Sequence, residues 1–253
     1  MKLRLDRRAA AAAVLIAWVA GIALLAHRRH SSTDAELLAR GALTLDPATY
    51  FYTVSQDSEQ IGSASSSIDT SANGFTVREV ARFRTLISND SQSVVASSTA
   101  YLSRGLALDS FSVAVTGEHP LHDVNAPAAH SGILLPTLAP IALMLTREPR
   151  VGFTTSSPIY NPMAGHVERV TMSIAAESLF SVVDSAVFDS AQHHWMPAHL
   201  DTVRSWKIVA PSRGIFAWVD SRGRLVAASA PGGASIERTA YEIATLNPKL
   251  PTH

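Results

Sequence analysis

The most chemically suggestive residues of this chain are its ten histidines. His119, His122 and Asp123 with His130 form one group; His193, His194 and His199 form a second. Neutral imidazoles beside a carboxylate can hold zinc. Neither group has helical zinc spacing, no His-Glu-x-x-His run occurs, and both fall in stretches that read as polar loops. Surface histidines, no metal and no cofactor are therefore expected. A metal-dependent hydrolase built on His119, His122 and His130 is the enzymatic alternative.

Other reactive sets are thinner still. The chain has no cysteine, which removes a thiol nucleophile, a disulfide framework and a Cys-bound zinc. Lysines stand only at positions 2, 207 and 249. Gly62-Ser63-Ala64-Ser65-Ser66 is not the Gly-x-Ser-x-Gly turn that exposes a hydrolase serine, and the many serines read as solvent-facing strand and loop positions. Pro231-Gly232-Gly233-Ala234 reads as a hairpin loop rather than a phosphate cradle. The acidic pairs Asp184 with Asp189 and Glu237 with Glu242 could do acid–base work only by meeting in a cleft. The expectation is a non-enzymatic protein.

The elements that would position these residues begin after a distinct N-terminal segment. Ala9 to Ala26 run eighteen positions without a charge, a helix of roughly 27 Å and about the thickness of a hydrocarbon core. Leu15, Trp18, Ile22 and Leu25 would be its lipid-facing anchors. Lys2, Arg4, Arg7 and Arg8 precede it, which places the N-terminus in the cytoplasm. Gly21-Ile22-Ala23 offers a rival reading as a cleaved signal peptide. The apolar run continues past that site into His27-Arg28-Arg29-His30, so an uncleaved inner-membrane anchor is expected, with the bulk of the chain periplasmic. Residues 1–30 form this anchor, 31–46 a helical stalk, 47–246 an extracytoplasmic antiparallel β domain and 247–253 a tail.

Charge follows the same division. The anchor holds six of the 21 basic residues but one of the 21 acidic ones, so the remainder is near −5. That balance gives no footprint for nucleic acid. The partners expected are membrane lipids through the N-terminal helix and other membrane or periplasmic proteins.

Thr33-Asp34-Ala35-Glu36 matches a capping box for a short helix through Leu37, Leu38 and Arg40. From about Pro47 the apolar period becomes two. Tyr50, Tyr52 and Val54 alternate with polar neighbours, as do Phe75, Val77, Ala81 and Phe83, then Phe111, Val113 and Val115, then Val170, Met172 and Ile174. This is the pattern of antiparallel strands with one buried face. Turn signals separate the runs at Asp57-Ser58, Asn73-Gly74, Asn89-Asp90, Arg104-Gly105 and Asp220-Ser221-Arg222-Gly223. One segment differs: Gly132 to Leu145 is apolar almost throughout, yet too short and proline-interrupted to span a membrane. It reads as a buried helix, plug or lid.

Two stretches carry a resemblance. Tyr52-x-Val54 is followed by Gln60-Ile61-Gly62. Ala217-Trp218-Val219-Asp220-x-x-Gly223-Arg224-Leu225-Val226 is followed by Ile236-Glu237-Arg238 and Tyr241-Glu242-x-Ala244. Together they resemble the β-rich domain that precedes the catalytic domain in some bacterial transglutaminase-like proteins, and related stand-alone periplasmic domains of unknown function. The resemblance spans about residues 48–246. It implies a shape similar to the periplasmic lipoprotein carriers, a curved antiparallel sheet partly covered by one or two short helices. Its motifs are strand and turn patterns without a reacting group, and the appended catalytic domain is missing, so no activity carries over. From the residues themselves, Trp218 fills the core and Asp220 opens a turn.

The fold class expected is mainly β (α+β). Three functions fit it: a membrane-anchored binding or scaffold module serving as accessory subunit of a larger complex, a carrier of lipid or another hydrophobic ligand, and the hydrolase above. For the carrier, Leu134, Leu135, Leu138, Ile141 and Met144 are the expected ligand-lining residues.

Overall fold

The computed structural model describes residues 34–87, 90–106, 108–117, 120–127, 134, 136, 138–146, 148–161, 166–211, 215–229 and 233–246. The expected anchor, with Leu15, Trp18, Ile22 and Leu25, lies outside them, as do the tail, Leu135, His119 and His130. Among the described residues no helix is long and apolar enough to cross a membrane.

The protein is mainly β. Twelve strands form one antiparallel sheet: β1 (Ala48–Gln56), β2 (Glu59–Ser71), β3 (Gly74–Ile87), β4 (Asp90–Ser103), β5 (Leu108–Thr116), β6 (Pro120–Pro127), β7 (Thr154–Asn161), β8 (His166–Asp189), β9 (His194–Ala210), β10 (Ile215–Asp220), β11 (Leu225–Ser229) and β12 (Ala234–Thr239). Their spatial order is β6-β5-β4-β3-β2-β1-β12-β11-β10-β9-β8-β7. Two meandering wings, β1–β6 and β7–β12, therefore join where β1 pairs with β12. The connection from β6 to β7 has to travel from one free edge of the sheet to the other. It carries the short helix α2 (Ala139–Thr146). Leu134, Leu138, Ala139 and Ile141 to Met144 of this connection are buried inside the curl, which accounts for their apolar character.

The sheet is open but strongly curled. Phe111 on β5 and Tyr160 on β7 belong to strands near opposite ends of the order, yet their rings lie 4.8 Å apart. Leu134 then bridges Ile159 on the outer edge of β7, donating to Pro158 and accepting from Tyr160 at 3.0 and 2.8 Å. Bulges between Val54 and Ser55, Tyr101 and Leu102, Val115 and Thr116, and Trp218 and Val219 add twist and bend to the strands that carry them.

Inside the curl two clusters surround α2. One contains Ile68, Val77, Ala100, Leu102 and Phe111 with Leu138 and Ile141; the other contains Val170, Met172, Ile174, Trp206, Ile208 and Val219 with Leu143 and Met144. The segment expected as a helical stalk is helical over Asp34–Ala42, here α1, and is docked on the domain. Leu38 packs against both clusters, and Ala42 and Leu45 are core residues. Its apolar side chains gain more from that burial than from standing in water.

The outer face carries two additions. The helix α3 (Tyr241–Leu246) lies against β1 and β2 through the Phe51–Tyr241 ring contact at 4.9 Å and a bond from Gln60 Nε2 to the Ala244 carbonyl at 3.2 Å. From the Leu179–Arg204 pair outward β8 and β9 pair only with each other, forming a ribbon about 35 Å long. Its base rests on the sheet through Phe180, 4.9 Å from Trp218. Trp218 thus points outward and half-buried, correcting its expected place in the core, while Ala217 and Val219 beside it face inward. Trp206, at 4% exposure, is the core tryptophan.

Candidate functional site

The concave face lines an open cavity of about 530 Å³, within the range of small-molecule sites. Register explains why it is there. Tyr52 on β1, Ala64 on β2, Ala81 on β3 and Ala96 on β4 stand opposite one another in successive pairs. The next inward row is Tyr50, Ser66, Glu79, Ser98 and Val113. All nine line the cavity. Alanine and serine are too short to reach the middle of the curl, so this wing leaves space. The facing wall is built of larger residues: Ile159, Val170, Met172, Ile208 and Val219, with Ile141 of α2.

Helix α2 is held over the opening by a turn. Gly223 adopts φ +76° between β10 and β11, and a Cβ there would meet the Cα of Ile141 at 2.3 Å. Only glycine allows both the left-handed backbone and this approach.

The polar groups of the wall concentrate around that turn. Asp220 Oδ1 accepts from the backbone N–H groups of Arg222 and Arg224 at 2.9 and 3.0 Å, and its Oδ2 accepts from Arg238 Nη2 at 3.2 Å. Arg238 also donates to the Leu225 and Arg224 carbonyls. The guanidinium of Arg224 donates from Nη1 to the Tyr50 hydroxyl and from Nη2 to the Asp46 carbonyl at 2.8 Å. The guanidinium carbons of Arg224 and Arg238 lie 5.1 and 4.3 Å from the Tyr50 ring centre, a cation–π arrangement. Burial pushes the Tyr52 hydroxyl well above the usual phenol range; Arg238 opposes that rise, and Glu79, Asp220 and Tyr50 add to it. Across the cavity, Ser98 Oγ donates to Glu79 Oε2 at 3.1 Å.

Of the ligand-lining residues expected from sequence, Ile141 lines this cavity, joined by Pro136, Ala139 and Pro140 of the same segment. Leu134 and Leu138 border a separate void of about 10 Å³, no larger than a water's share, and Met144 is buried in the second cluster. Sequence reasoning missed the small-residue wall. Ser66 and Ser98 face the cavity rather than solvent, and Glu79 occupies an inward position in the run Phe75, Val77, Ala81, Phe83. A glutamate on the apolar phase of a strand was the available signal.

Among the described residues the histidines do not converge. His122 and Asp123 fall on β6, and His193 and His194 at the exposed ribbon tip. His199 Nδ1 lies 3.7 and 3.8 Å from the carboxylates of Asp184 and Asp201, all well exposed. Asp189 caps its turn, accepting from the N–H groups of Ala191 and Gln192. Among the described residues no three His, Asp or Glu side chains group as metal ligands.

No family model matches the chain, and no curated protein matches it. Among solved structures it is similar to a beta-barrel-like protein of domain of unknown function DUF1849 from Brucella abortus, at 13% identity and a TM-score of 0.47, covering 76% of this chain and 94% of that one. The transglutaminase-associated resemblance has no counterpart among these matches.

Proposed function

We propose that this chain is a non-enzymatic carrier for an apolar small molecule, with the cavity inside the curled sheet as its site. The observation behind this reading is the cavity itself: a row of alanines and serines opposite branched and long apolar residues, closed on one side by α2. A protein selected only for stability would fill such a space, because unfilled apolar volume forfeits packing. Among the described residues no histidine lines the cavity, so the Ser98–Glu79 pair has no base of a hydrolytic triad beside it there. The Ala9–Ala26 segment would tether the carrier to the inner membrane, with the domain on the periplasmic side, close to a source of hydrophobic ligand. A reporter fused after His253 should then prove extracytoplasmic; a cytoplasmic reporter rules out this placement.

Native mass spectrometry of protein purified under mild conditions tests the carrier directly. A population heavier by the mass of one lipid or similar amphiphile is expected. Affinity for a homologous alkyl series should deepen by about 0.8 kcal/mol, roughly fourfold, per added methylene until the cavity is full. A flat series would refute the site.

A second reading, an accessory module of a larger membrane complex, draws on the ribbon. Leu179, Val187, Phe188, Met196 and Leu200 are exposed along it, an unusual density of large apolar side chains for a solvated arm. On this reading a partner co-purifies after mild detergent extraction and is lost when Phe188 and Leu200 are both changed to Ser; migration as a free monomer in several detergents would exclude it.

A further inference from the structure

We infer that the cavity's ligand is an apolar chain ending in a single compact anion, a carboxylate, received by Arg224 and Tyr50; this rests on the carrier reading above. Two arginines, Arg224 in the cavity wall and Arg238 beside it, hold their guanidiniums against the Tyr50 ring, and they differ in one respect. Arg238 has a carboxylate, Asp220, at 3.2 Å. Arg224, 7% exposed and part of the cavity wall, has among the described residues only neutral acceptors, the Tyr50 hydroxyl and the Asp46 carbonyl. A guanidinium carries five N–H donors and does not give up its proton in a protein. Two acceptors leave that set incomplete, and Nε is buried with no hydrogen-bond partner among the described residues.

The nearby carboxylates are committed elsewhere. Asp220 is used by Arg238 and by two backbone N–H groups. Asp46 points its carboxylate at Arg222, 2.6 Å away. Glu79, the carboxylate in the cavity wall, accepts from Ser98 and stands two strands from Tyr50, roughly 10 Å across the sheet. A buried cation without a counter-charge is costly, and an anion arriving with the ligand would supply one. Tyr50 completes the receptor: its oxygen accepts from Arg224 and its own proton is left to donate. Glu79 sets the limit on the head group. A small carboxylate stays on the Arg224 side, whereas an extended or multiply charged head would approach Glu79 and be repelled.

The test uses the full chain, exchanged from detergent into amphipol and stripped of bound lipid, titrated with hexadecanoate, methyl hexadecanoate and hexadecanol. Hexadecanoate should bind roughly tenfold tighter than the ester or the alcohol, the scale of a charge-assisted hydrogen bond. Arg224→Met should bring that ratio to about one while keeping the ester's affinity. Arg224→Lys should retain part of the ratio, and Tyr50→Phe should reduce it severalfold; these two decide the matter should the methionine variant fail to fold. Equal binding of acid and ester by the unaltered chain overturns the head-group assignment and leaves the carrier reading standing. Absence of binding by all three ligands overturns the carrier reading itself.

Discussion

The two wings of the sheet are built on the same alternating pattern and end with opposite interiors. On β7–β10 the inward positions hold Ile159, Val170, Met172, Ile174, Ile208 and Val219, long side chains that form the cavity's facing wall and, at Ile174, a packed core 1% exposed. On β2–β4 the corresponding middle rows hold Ala64, Ser66, Ala81, Ala96 and Ser98, and the space stays open. Strand pairing and burial direction are alike, so side-chain length alone separates a packed core from a ligand-sized cavity. The same strand shows both regimes: Ala96 lines the cavity on β4, while Ala100, two inward positions on, is 2% exposed and sits in a filled cluster with Val77 and Phe111.

The comparison breaks most visibly where packing is complete. Ile174→Ala or Leu143→Ala should cost about 2–5 kcal/mol in denaturant titrations, as large-to-small changes do in filled cores. Ser98→Ala and Ser66→Ala, on the open wall, should cost less than about 1 kcal/mol. Gly223→Ala comes next. It forces a side chain into a left-handed position and against Ile141, so a loss of about 1–3 kcal/mol is expected, with the protein melting earlier and α2 gaining protease sensitivity.

A sharper version enlarges alanine on one strand. Ala100→Leu overfills a packed site and should cost about 1–3 kcal/mol, whereas Ala96→Leu enters empty space and should leave the melting temperature unchanged or raised. Equal penalties at both positions would mean the cavity is not open in solution. The smallest effect is a pH dependence. The buried Tyr52 phenol titrates higher in the folded protein than in the unfolded chain, whose tyrosines titrate near pH 10. Its contribution is therefore fully present below about pH 10 and is lost as pH rises above it. Tyr52→Phe should flatten that part of the alkaline stability curve without altering it at pH 7.

Much of the sheet was legible because its signals are local. The alternation in Tyr50–Val54, Phe75–Phe83, Phe111–Val115 and Val170–Ile174 falls on β1, β3, β5 and β8, and the Asp57-Ser58 and Asp220–Gly223 signals fall on the β1–β2 and β10–β11 turns. The site was less legible because it depends on curvature. Nothing in the residues around Phe111 announces Tyr160 as a neighbour, since their strands are separated by nearly the whole order of the sheet. Without the curl, serine at positions 66 and 98 reads as a solvated face, and Trp218 reads as core because its neighbours are apolar. The projecting ribbon was hidden for a related reason: its alternation continues that of β8, and only the lack of flanking partners from the Leu179–Arg204 pair outward marks it as an arm.

The central claim is that the small-residue wall makes a ligand site. It is tested most directly by titrating cis-parinaric acid into delipidated protein and into an Ala81→Leu/Ala96→Leu double variant of equal or greater thermal stability. The account predicts saturable binding by the unaltered chain, one probe per molecule, weakened roughly tenfold or more by the filled cavity. Equal binding by the two proteins, or none by the unaltered chain, would contradict it.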